Sequence, residues 1–277
     1  MPALQPVLRP VFIPLVILAL LAGWPGRGQA QTFMEGGARA AALGGAATAL
    51  AQELSGYANP ATWATVTGRG VAFFASQAFG LPALRLGAVA YVEPTRLGAF
   101  AAGARTFGFE AYRETHLHVG SARGFRLGTT RRFHLGVGVQ YRHLAIPAYG
   151  QEGTFTANLG GLVAVHPGLL VGFHAANVLG GGEDRVRSLA LGLAYTPADP
   201  VLVVVDVYKD VRFPLSVRAG IEAHPVSALF LRAGATTAPA RLTTGIGLRL
   251  GHLTADVAGE RHEALGWSPA VSLGIRW

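Results

Sequence analysis

The sequence has no cysteine among its 277 residues. That absence excludes a disulfide framework, a thiolate nucleophile, a cysteine-ligated metal and a lipoprotein anchor. Charge is sparse, at 14% of residues against 51% hydrophobic, yet long apolar runs are lacking too. The one sustained apolar stretch, 11–23, contains Pro14 and falls short of the roughly 20 residues a membrane-spanning helix needs. Missing as well are a nucleophile elbow, a metalloprotease helix and a phosphate-cradling loop with its following lysine. No enzyme and no cofactor is expected. The formal charge of +8 is spread along the chain, whereas a nucleic-acid surface gathers its cations on one face with aromatics between them.

What is present is 38 glycines, with alanine and β-branched residues between closely spaced turn signals. Such a composition reads as many strands rather than as a layered α/β domain. The first thirty residues differ from the rest. "MPALQPVLRP", "VFIPLVILALLAG" and "GRGQA" are a short start with one arginine, an apolar core and a small-x-small site. This is the layout of a secretory leader, with cleavage expected after Ala30. The expected division is a signal peptide over 1–30, an N-terminal luminal or periplasmic segment over 31–68, and a barrel over 69–277.

From Arg69 onward nearly every segment alternates with period two. In 132–142, Phe133, Leu135, Val137, Val139 and Tyr141 oppose Arg132, His134, Gly136, Gly138, Gln140 and Arg142. Successive side chains leave a strand on opposite faces, so the two faces meet different solvents. About fourteen such segments, most near ten residues long, match strands tilted across a bilayer and closed into a cylinder without edges. The expected fold is an all-β transmembrane antiparallel barrel of the bacterial outer membrane, surrounded by its lipids. Links after even-numbered segments should be short and periplasmic; only 123–130 looks long, while 144–151 and 177–186 read as outer loops. The chain ends in "AVSLGIRW". There Leu273, Ile275 and Trp277 should face lipid, Ser272, Gly274 and Arg276 the lumen. A terminal aromatic of this kind resembles the signal read by the barrel-insertion machinery.

Residues 31–68 do not alternate. They are rich in alanine and glycine, with a short helix expected over 46–54 and a turn at Asn59-Pro60-Ala61. The run Gly37-Ala38-Arg39-Ala40-Ala41-Ala42-Leu43-Gly44-Gly45-Ala46, followed by Asn59, Pro60 and Ala61, resembles the N-terminal signature of the PorV/PorQ family. It is also similar to the broader FadL-like group of barrels. The resemblance implies a fourteen-strand barrel behind an entrance segment or plug, and a non-enzymatic role. In the PorV/PorQ reading the barrel is a membrane partner of envelope proteins in secretion or surface attachment, as in type IX secretion. In the FadL-like alternative it passively transports hydrophobic small molecules, which leave sideways through a gap in the wall. The chain is short for the group and leaves little for long outer loops.

Asp206, Arg218, Glu222, Arg232, Arg249 and Asp256 should face the lumen, as should Glu260 and Arg276. Opposite charges on neighbouring strands suggest ion-pair ladders that fill the lumen and fix register, or a polar constriction. His116 and His118 share one strand face with Glu114 nearby, an allowed but weak metal geometry, and no metal is expected. Glu260, His262 and Glu263 read as the solvated edge of an outer loop.

Overall fold

The computed structural model describes residues 36–55, 57–127, 131–180 and 187–277. The expected leader lies outside the described residues.

Fourteen antiparallel strands close into one barrel. They are β1 (Gly70–Gln77), β2 (Arg85–Thr95), β3 (Gly98–Phe109), β4 (Tyr112–Leu127), β5 (Arg131–Ile146), β6 (Gly150–His166) and β7 (Leu169–Gly180). The second half is β8 (Ser188–Ala198), β9 (Val201–Asp210), β10 (Ser216–Val226), β11 (Leu229–Thr237), β12 (Ala240–Leu250), β13 (Leu253–His262) and β14 (Gly266–Arg276). Each strand pairs with its sequence neighbours, and closure comes from β1 on β14, with Phe73 opposite Leu273. Beyond the ladder, Arg69 and Trp277 exchange backbone hydrogen bonds of 2.9 and 3.0 Å.

The alternation has its physical counterpart in burial. On β5, Leu135, Val137 and Val139 stand about half exposed on the outside while Gln140 is buried inside. An apolar surface of this extent on every strand is stable only against lipid, since closure already satisfies the backbone. The exposed row continues along β14 through Val271, Leu273, Ile275 and Trp277, at 44–56% exposure. The barrel is of the bacterial outer-membrane kind, and the end at which β1 begins and β14 stops is the one expected to be periplasmic.

The links are shorter than the sequence pattern implies. β4 runs to Leu127 and β5 starts at Arg131, so the expected long link over 123–130 is mostly strand. The expected outer loop over 144–151 shrinks likewise, because β5 reaches Ile146 and β6 begins at Gly150. Of the loop over 177–186, Asn177 to Gly180 belong to β7, and 181–186 lie outside the described residues. In each case turn residues such as glycine sit inside the hairpin and mask the pairing of its arms.

Residues 36–55 and 57–68 enter the barrel. A helix, α1 (Gly37–Ala42), occurs where none was expected, and the expected helix over 46–54 is a series of turns. The reason is the Gly-Gly pair. Gly44 and Gly45 have φ of +69° and +77°, and their N–H groups bond to the carbonyls of Ala41 and Ala40 at 3.2 and 2.9 Å. That is a Schellman stop, which ends α1 and turns the chain away. Asn59 is the N-cap of a 3-10 helix, Pro60–Thr65, its side chain accepting from the Ala61 N–H at 2.9 Å; the expected turn is thus a helix start.

Candidate functional site

The plug meets the wall at a belt of inward-facing glycines on successive strands. A Cβ on Gly220 of β10 would lie 2.7 Å from Leu43 Cα, one on Gly245 of β12 2.5 Å from Ala42 Cβ, and one on Gly192 of β8 2.7 Å from Thr48 Cβ. Across the lumen, a Cβ on Gly136 of β5 would come within 2.6 Å of the Pro60 carbonyl oxygen. The inward half of each dyad is therefore glycine where the plug backbone passes, because nothing larger fits. Around it, Ala40, Leu43, Ala46 and Leu50 pack on Leu162 of β6 and Val204 of β9 as one buried cluster.

The lumen-facing charges do more than pair with one another. Asp206 on β9 is 2% exposed, and its Oδ2 accepts from the Ala47 and Thr48 N–H groups, both at 2.9 Å, and from Thr48 Oγ1 at 2.7 Å. Its strand neighbour Arg218 donates to the Gly45 carbonyl at 3.3 Å and lies 3.9 Å from the Tyr208 ring centroid. Glu222 on β10 receives Arg39 of α1 through two bonds of 2.9 and 2.8 Å, and Arg232 of β11 at 2.6 Å. Arg232 also reaches Asp256 on β13 at 2.7 Å, crossing β12 at Gly247, where a side chain would strike its guanidinium. The expected ladder is thus partly realised, Glu222 to Arg232 between neighbours, but its centre is Arg39 of the plug. Burial lowers the Arg39 pKa, yet attraction and hydrogen bonding to Glu222 outweigh it and the net shift is upward.

Along the periplasmic rim, Arg276 donates to Gln52 at 3.0 and 2.5 Å, and Ser272 accepts from the Ala38 N–H at 2.8 Å. Glu260 is on β13, not in a loop, and pairs with Arg241 at 2.9 Å. His262 ends β13, stacked edge-on with Phe79, and Glu263 sits in the turn after it. His116 bonds Glu114 at 3.0 Å, while His118 turns to the rings of Tyr57 and Trp63. Among the described residues no three metal-ligating side chains converge.

One cavity runs beside the plug. It is partly open, with a volume of about 80 Å3, and its lining reaches from Leu86 and Arg105, towards the outer ends of β2 and β3, to Phe230, Arg249 and Thr254 at the periplasmic ends of β11 to β13. One wall is apolar, from Ala72 and Phe74 of β1 to Ala88 and Ala90 of β2; the other carries Arg39, Glu53, Arg232, Arg249, Asp256 and Arg276. Burial pushes the Glu53 carboxyl up, with Arg39 and the Ser55 N–H opposing it. Arg249 lies 4.6 Å from the Phe230 ring centroid. Tyr57, Arg105, Phe230 and Leu86 had no signal in the sequence: β3 is alanine-rich on both faces, and nothing in 31–68 marks Tyr57 as meeting it.

The transport reading expects a gap in the wall. The ladders that flank this cavity, from β11 through β14 and β1 to β3, run without a register break. Among the described residues a mid-wall break joins β6 and β7, where Asn158 stands opposite the extra residues 176–178 and accepts from the Asn177 N–H at 2.9 Å. That break is on the other side of the barrel.

No protein-family model matches the chain, and no curated protein does. Solved structures do. A CymD monoaromatic hydrocarbon channel superposes with a TM-score of 0.66 at 13% identity, over 90% of this chain and 99% of that one. The Pseudomonas putida toluene transporter TodX gives 0.57 at 14%, over 87% and 96%. A Pseudomonas aeruginosa FadL homologue gives 0.51 at 10%, over 84% and 95%. At such identities the likeness is one of fold alone, a closed antiparallel barrel of the outer-membrane kind. The narrower PorV/PorQ resemblance finds no counterpart in these comparisons.

Proposed function

We propose that the protein is a passive, non-enzymatic channel for small hydrophobic molecules, the FadL-like role, rather than a partner in type IX secretion. The observation that carries this reading is the cavity beside the plug, apolar along β1 and β2 and reaching towards both ends of the barrel. The hydrocarbon channels that share its fold support it. The path differs from the one the resemblance implies: with unbroken ladders around the cavity, solute travels along the axis between plug and wall instead of leaving sideways. Asp206, Arg218, Glu222 and Arg39 hold the plug in place. Gly37, Gly44 and Gly45 shape its turns, and Asn59, Pro60 and Ala61 anchor it to β5 and β6. Leu273, Ile275 and Trp277 present the strand that the insertion machinery recognises.

Nothing among the described residues favours the secretion reading. The test compares toluene uptake by cells carrying the protein, cells lacking it and complemented cells. Uptake should fall on deletion and return on complementation; an unchanged rate, with other envelope proteins co-purifying, would favour the secretion role.

A further inference from the structure

The cavity is not a plain greasy tube. Arg105 points inward from β3, its guanidinium 5.0 Å from the Tyr57 ring centroid and 3.4 Å from His116 Nδ1. No carboxylate pairs with it among the described residues. The Tyr57 hydroxyl, on the same lining, is buried without a hydrogen-bond partner among the described residues. Phe74 and Leu86 line the same cavity. On the lining, five guanidiniums (Arg39, Arg105, Arg232, Arg249, Arg276) are set against two carboxylates, Glu53 and Asp256, while Glu222, off the lining, pairs with Arg39 and Arg232. Arg249 rests on Phe230 and Arg276 on Gln52.

We propose that the Arg105–Tyr57 end of the cavity is a binding site for compact monocarboxylates, in which one carboxylate is carried on a single aromatic ring or similarly small apolar body. The carboxylate accepts from the Arg105 guanidinium and the Tyr57 hydroxyl, while the body lies against Phe74 and Leu86. The inference rests on the channel reading and narrows its substrate class. A neutral hydrocarbon in the same place would strip water from Arg105, leave the Tyr57 hydroxyl unpaired and return no acceptor, and sites with buried donors discriminate strongly against ligands that leave them unpaired. Size sets the other limit. The cavity is partly open, and its roughly 80 Å3 is below the roughly 150 Å3 that takes up benzene, so one ring already needs the space towards the mouth and a bulkier body is disfavoured. Tyr57 remains a donor throughout the working range, because burial pushes its pKa up to about 12. Arg249 offers a second cation without a carboxylate partner among the described residues at the periplasmic end, where the anion can be received on its way through.

The test is calorimetric titration of the full barrel in detergent with sodium benzoate, its neutral isostere benzamide, and laurate. Benzoate should bind about tenfold or more tighter than benzamide, the scale of a lost charge-assisted bond. Arg105→Met should abolish that preference, Arg105→Lys should keep most of it, and Tyr57→Phe should weaken benzoate several-fold. Heat-modifiable gel migration confirms that each variant is still a barrel. Equal affinity for benzoate and benzamide, an Arg105→Met variant that binds benzoate as before, tighter laurate binding, or no benzoate binding would each overturn the proposal. Toluene uptake that depends on the protein, alongside any of those results, would leave the channel reading standing; selective benzoate binding with uptake unchanged on deletion would strike the channel reading alone.

Discussion

At the scale of single residues, the plug is held by a few buried polar groups whose partners cannot be replaced by water. Glu222 is the one most exposed to mutation, because two arginines depend on it and the side chain of Arg232 is 3% exposed. Glu222→Gln leaves both guanidiniums buried beside a neutral amide, with Asp256 remaining for Arg232 alone. Breaking a buried pair in this way costs about 3–5 kcal/mol, and the variant should lose its native gel migration at a clearly lower temperature. Asp206→Ala acts on the plug more locally. It strands two backbone N–H groups and the Thr48 hydroxyl, so limited proteolysis should cut within 44–50 while the strands stay protected. Asp206→Asn keeps one acceptor oxygen and should be cut more slowly than Asp206→Ala. The glycine belt makes the complementary prediction. Gly220→Val would put side-chain atoms into Leu43, whose Cα already lies 2.7 Å from an added Cβ; the plug has to shift, and single-channel conductance in planar bilayers should rise with the barrel intact.

At the scale of elements, the strands were legible and the plug was not, for a physical reason. A strand against lipid obeys one local rule, apolar outward and small or polar inward, and that rule is written in consecutive residues such as Leu135 to Gln140. The plug obeys no local rule. Its contacts, Leu43 on Gly220 or Thr48 on Asp206, join residues more than 150 positions apart, and one sequence without them shows only small residues. The Gly44-Gly45 pair did carry a local signal, since paired glycines after an alanine run mark a helix end; it places a helix before the pair, not after it. Likewise the glycines that alternate with valine and leucine on β5 and β12 look like filler until the plug is in place, when they become its seat. Because the plug is bound by polar contacts and packing to a wall that is closed without it, the wall should survive its loss. Deleting residues 36–66 should yield a barrel that assembles, migrates as a folded species and conducts ions at many times the level of the intact chain; failure to assemble would show that the plug is part of the folding unit.

At the scale of the whole molecule, a cylinder in lipid is stabilised on two surfaces with opposite demands, and a substitution is judged by which surface it meets. The outer surface has a depth scale. Val139, on the outer face near the middle of β5, has Val119 and Ala157 as its lateral partners, so an arginine there meets acyl chains on every side. Its cost should be about 2–4 kcal/mol, falling to about 0–1 kcal/mol near the interface. Phe155 is also exposed and outward, at 65%, but it lies on β6 nearer the outer rim, where an arginine can turn its head into water. Unfolding titrations in lipid should therefore rank Val139→Arg well below Phe155→Arg in stability. In a soluble sandwich both positions would lie under a second sheet and both substitutions would be severe. The difference between the two variants, rather than the size of either, reports where the membrane sits on this barrel.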